Sequence, residues 1–276
     1  MVGPVALSVS LTLHINARVR SLPTPSFGNS STLYCEFIRF LHRTEPPNPA
    51  NPDPDWHIVA DGADAWLNSL SGVRRALLAY EPSGDPRLSD RMSSGFVGGG
   101  GHWFVCLDRG AFECWEGWWR VGDQKAADRR IWQVHYARVV ESYPIDAQQL
   151  SEITLPVAQA AAALRHSLER TRAFALRHSL DGFVASFDRA LACLNPSLPA
   201  PEPFHKDLAP IGVLPHEAAR LLAACQHGWV FGGMGSWNDL GIQGEAKLEY
   251  DTVSDDLFHQ INRSFCIATN ASAAAV

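Results

Sequence analysis

LSVSLTLHINARV, residues 7–19, decides how the fold is read. Leu7, Val9, Leu11, Leu13, Ile15, Ala17 and Val19 alternate with Ser8, Ser10, Thr12, His14, Asn16 and Arg18. A period of two is the signature of a strand with one buried face. The spacing therefore predicts an opening β-strand rather than a targeting peptide, since no basic segment and no continuous apolar run precedes it.

Working outward, Pro23 and Pro25 end that element. Ser30 or Ser31 is read as the cap of a helix reaching about His42, with Leu33, Phe37, Phe40 and Leu41 on one face. Residues 45–55 form a proline-rich connection. A short strand is expected at 56–60 and a short helix at 64–70; 74–80 fits either type. After the glycine-rich loop 92–101 come three strands, 102–107, 111–121 and 131–140, separated by turn residues. Residues 147–194 read as helix, with Pro156 opening its second part; the ALRHSL repeat at 163–168 and 175–180 is taken as coincidence within one amphipathic helix. Helix 214–227, a short strand 229–231 and a final helix 250–270 complete the chain, with a frayed tail from 271. The fold class expected is α+β: a mostly antiparallel sheet packed against helices, with a helix-rich C-terminal half. One domain spanning 1–276 is expected, with a possible division into 1–145 and 146–276.

With 276 residues, 46% of them apolar, the chain can bury a large core. The net charge of −6 opposes non-specific nucleic-acid binding and suits a basic protein partner. Segment 239–256 carries six acids against the single base Lys247. The six cysteines include no C-x-x-C pair, and free buried thiols in a reducing compartment are expected. No stretch reaches membrane-spanning length, so neither a membrane nor direct nucleic-acid contact is expected, and the location expected is cytoplasmic.

The stretch VFGGMGSWND, residues 230–239, invites a catalytic reading. A phosphate loop needs a lysine beside its glycines, and a nucleophile elbow needs glycine two residues after the serine; both are missing here. A glycine-built turn that places Trp237, Asn238 and Asp239 remains. The strand FECWEGWWR, residues 112–120, puts Trp115 and Trp119 on one parity and Trp118 on the other, unless Gly117 marks a bulge. That strand is either core or a Glu-Trp recognition surface. Asp55 with Asp123 and Lys125 loosely imitates a metal-dependent nuclease or hydrolase, and Glu245 with Lys247 is a second imitation. The histidines do not cluster in sequence; Cys106 with His135 on neighbouring strands is a conceivable dyad.

LTLHINARVR, CEFIRFLHRTEP, WHIVADGADAWL, WVFGGMGSWNDLG and EYDTVSDDLFHQINRSFCIATN, in that order, resemble the bacterial immunity proteins of the group called immunity protein fifty-two. The resemblance spans both ends of the chain and is weaker in the middle. It implies a protein that binds and neutralises an antibacterial toxin, a nuclease-like effector passed between competing bacteria, without catalytic residues, cofactor or metal. The expected contacts are Glu113, Trp115, Glu116, Trp118, Trp237, Asn238, Asp239, Glu249, Asp251 and Asp255, chosen because acids and tryptophans suit a basic partner. A hydrolase using Asp55, Asp123 and Lys125, or a non-catalytic adaptor or chaperone, are the alternatives.

Overall fold

The computed structural model describes residues 3–43, 56–139 and 145–273. Its first element reverses the opening expectation. Residues Gly3–Val19 form a helix, α1, buried on every side. Leu7, Leu11 and Ile15, one turn apart, enter one apolar cluster. Val5, Val9, Leu13 and Ala17 enter a second cluster. A helix buried all round shows no polar stripe, so the 3.6-residue signal vanishes and the accidental alternation dominates. The polar residues survive burial because each finds a partner. Ser8 Oγ lies 2.8 Å from Tyr136 Oη. Thr12 Oγ1 donates to the Ser8 carbonyl, and Ser10 Oγ to the Leu208 carbonyl.

A 3-10 turn at Ser30–Thr32 leads into β1 (Cys35–Arg43), a strand where a helix was expected. The run CEFIRFLHR is too short for periodicity to separate the two. Its place inside the sheet decides: it pairs antiparallel with β2 (Trp56–Asp61) and parallel with β6 (Trp132–Arg138). Helix α2 (Ala63–Ser69) follows β2, and β3 (Arg75–Glu81) resolves the segment left open. After the short α3 (Asp90–Ser93), β4 (His102–Asp108), β5 (Phe112–Val121) and β6 form the expected meander. The sheet order is β2-β1-β6-β5-β4-β3. Register runs unbroken through Gly117, so there is no bulge there. Glycine is needed for closeness instead: a Cβ would lie 3.0 Å from the Tyr136 ring.

The expected long helix is three: α4 (Ala147–Ile153), α5 (Val157–Arg177) and α6 (Asp181–Leu194). The second ALRHSL copy ends α5 and supplies its turn, where Ser179 has φ +55°. Helices α7 (His216–Gly228) and α8 (Ala246–Asn270) match expectation, α8 starting a turn earlier. Residues 229–231 are irregular rather than a strand. The tail is ordered through Ala271–Ala273, where buried Ser272 accepts from Asn16 Nδ2 at 2.7 Å. The proline-rich 45–55 and the end of the predicted strand at 140 lie outside the described residues.

The result is α+β, with a helix-rich C-terminal half. One apolar cluster joins α1, Leu78 and Trp103 to α5, α6, α7 and α8, so it crosses the 145/146 division. Strand β3 is an edge, and unpaired edge groups invite aggregation. Two buried asparagines satisfy it as a seventh strand would. Asn16 bonds both the N–H and C=O of Ala76. Asn270 does the same for Leu78.

Cys106 and Cys114 sit directly opposite on β4 and β5, Cα atoms 4.1 Å apart, and are joined by a disulfide. Free thiols were expected at all six positions; Cys35, Cys193, Cys225 and Cys266 are free and buried. The Cys106–His135 dyad is also overturned, because β5 lies between their strands.

Candidate functional site: the open face of the sheet

The glycine-tryptophan turn is a packing device. Trp237 is fully buried among Phe174, Phe183, Phe187 and Tyr250. Its indole N–H donates to Ser254 Oγ at 2.7 Å, and its carbonyl accepts from the Tyr250 hydroxyl. Gly235 takes φ +80° and donates its N–H to Asp239. Gly95 packs so closely on Gly232 that a Cβ would come within 2.4 Å of its carbonyl. Asn238 donates to the Arg91 carbonyl at 2.8 Å. Asp239 is exposed.

Arg91 explains much of the acidic segment. Its side chain is almost fully buried, and its guanidinium meets Asp255 at 2.6 Å and Asp251 at 3.5 Å. Lys247 also bonds Asp251, Arg177 pairs with Glu249, and Arg170 with Asp256. Four of the six acids are thus neutralised within the fold, which sequence counting could not see. Burial of Arg91 is tolerable only because those carboxylates compensate it.

Strand β5 divides its aromatics by parity. Trp115 and Trp119 face α1 and are buried, Trp115 stacking edge-on against Trp66 and Phe40. Neither Trp115 nor Trp237 can therefore be a surface contact in this conformation. Glu113 shares the Trp115 parity; it accepts from Trp115 Nε1 at 2.9 Å and pairs with Arg138 at 3.3 Å. Glu116 and Trp118 point to the opposite face, where Glu116 meets His102 at 2.7 Å.

That opposite face is where half-buried aromatics gather. Asp61, Arg39, His135 and Trp118 stand in one register row across β2, β1, β6 and β5. Trp56 contacts Trp118 edge-on at 5.2 Å. Phe37 contacts His135 at 5.2 Å, with the Arg39 guanidinium 4.1 Å above the Phe37 ring. Trp118, Phe37, Arg39, Trp56 and His135 are all half-buried. Burial, then the charges of Arg120 and Arg39, hold His135 below its ordinary pKa, so it is a neutral ring at neutral pH. On β2, Ile58 is exposed. The sequence pointed to Trp118 and Glu116 but missed Trp56, Phe37, Arg39 and His135. Phe37 and Arg39 join this face only through strand pairing, since nine residues carry too little periodicity for CEFIRFLHR to reveal it.

Asp123 and Lys125 lie on the exposed β5–β6 turn, where Asp123 Oδ1 accepts from the Lys125 N–H. Asp55 lies outside the described residues. Glu245 and Lys247 are exposed at the start of α8, and His216 is exposed at the start of α7. Among the described residues, no three His, Cys, Asp or Glu side chains converge as a metal site would require. No described helix is long and apolar enough to cross a membrane. Compared with known proteins, the chain matches no family model, no curated protein and no solved structure.

Proposed function

We propose that the chain is an immunity protein that binds a toxin and blocks it by covering its working surface, docking through the open face of the sheet. One observation carries the reading: half-buried Trp118, Trp56, Phe37 and His135 assemble from four strands on the face opposite α1. Aromatic side chains held at a surface supply the desolvated anchors that dominate protein binding. Arg39, Glu116 and Glu36 surround them with polar groups, as an interface rim does. The resemblance to immunity proteins gives the partner class, a basic nuclease-like toxin, and the net charge of −6 would speed that encounter.

The cytoplasm is the proposed meeting place, because a nuclease finds its substrate there. The Cys106–Cys114 bond argues for an oxidising compartment, since disulfides are rare in the cytosol. Alkylation and mass measurement of protein taken directly from cells decides between them: two extra labelled thiols for the cytoplasm, none for an oxidising compartment.

The interface is tested with Trp118→Ala and Phe37→Ala. Each should weaken toxin binding at least about tenfold, with an unfolding midpoint close to that of the unmodified protein. Unchanged affinity in both would remove this face from the interface. Reversing Asp251 and Asp255 to Lys is a poor probe of docking, since both hold the buried Arg91.

A further inference from the structure

A second site lies on the same sheet face, at its β3–β4–β5 end. There a cavity of about 460 Å³ opens between the strands and helices α4 and α8. That volume is in the range of small-molecule sites. Its floor is Ala79, Phe104 and the Cys106–Cys114 disulfide, and Ile153 of α4 forms a wall. Phe104, Cys106 and Cys114 are a small buried cluster separate from the two main cores. Among the described residues, the apolar side chains packed around them, Ala79, Phe112, Val139 and Ile145, are only partly buried.

Arg263 of α8 lines the same cavity. It is half-buried and has no ion pair or hydrogen bond among the described residues. The carboxylates at the cavity are already engaged by amides: Gln149 donates to Glu81 at 3.3 Å and Gln148 to Glu152 at 3.2 Å. An arginine held beside an apolar hollow offers a planar fork of donors that matches a carboxylate.

We infer that this cavity binds a small monocarboxylate with an apolar body, its carboxylate on Arg263 and its body on Phe104, Ile153 and the disulfide. Glu81 and Glu152 repel further negative charge, so dicarboxylates and phosphates are disfavoured. This site is independent of the toxin-docking reading.

Titration calorimetry with decanoate tests it on the full chain. The unmodified protein should bind one equivalent saturably. Arg263→Gln should weaken binding at least about tenfold, and decanol and decanedioate should both bind more weakly than decanoate. Ala79→Phe, which fills the hollow from a strand that stays paired, should abolish binding while circular dichroism shows an intact fold. No saturable binding by the unmodified protein, or equal binding by Arg263→Gln, would overturn the assignment.

Discussion

At the scale of single residues, Trp237 is the test of how the glycine-tryptophan turn works. It is enclosed by four aromatic rings and tied through Ser254, so Trp237→Ala should cost about 4 kcal/mol in denaturant unfolding. A loss below about 1 kcal/mol would mean the indole is not the packed anchor described. Gly95 and Gly233 make a matched pair. Alanine at 95 would push into the Gly232 carbonyl and should destabilise by about 1–3 kcal/mol, whereas alanine at 233 meets nothing and should be near neutral. Equal effects would contradict the close approach. Four histidines, His14, His135, His205 and His227, are held below the ordinary value of 6.5, each chiefly by burial. The unfolded chain then binds more protons than the folded one below that value, so stability is full above it and falls as pH drops through it. Thermal midpoints at pH 7.5 and 5.5 should show the loss; equal midpoints would contradict those buried neutral rings.

At the scale of elements, the edge of β3 depends on two side chains. Asn270→Leu leaves the Leu78 N–H and C=O without partners in a buried site, which costs about 2–3 kcal/mol and should expose the Leu78 amide to hydrogen exchange. Retained protection would show that the asparagine is not what closes this edge. The elements also differ in how far they could be read from sequence. The β4–β5–β6 meander was legible because Asp108-Arg109-Gly110 and 122–128 punctuate it with turn residues. Helices α7 and α8 were legible because Pro215 and the stop at Gly228 bracket the first, and the second keeps a polar face outside from Lys247 to Arg263. Helix α1 was not, because its Ser, Thr, His and Asn side chains are satisfied inside the core instead of facing water. Strand β1 was misread for the opposite reason: nine residues carry little periodicity, and its strand character comes from neighbours encoded elsewhere in the chain. The open face proposed for docking inherits that difficulty. Trp118 and Glu116 follow from the parity of one strand, but Phe37, Trp56 and His135 join them only through pairing of segments far apart in sequence.

At the scale of the whole molecule, charge and surface separate into different roles. The acids of 249–256 look like a patch in sequence but mainly brace Arg91 and the α5–α8 contact. What remains for a partner is the sheet face opposite α1, with its aromatics at the β2–β1–β6–β5 end and the apolar cavity at the other. Helices α1 and α2 make such a face possible, because their apolar residues pack on the other side of the sheet and leave this side uncovered at its aromatic end among the described residues. The most direct test is co-expression with the product of the adjacent gene, scoring cell survival and co-purification together. Survival with a stable 1:1 complex, both lost on Trp118→Ala with Phe37→Ala, is the predicted result. Cell death with no complex would contradict the immunity reading, and a complex without survival would make the chain an adaptor instead.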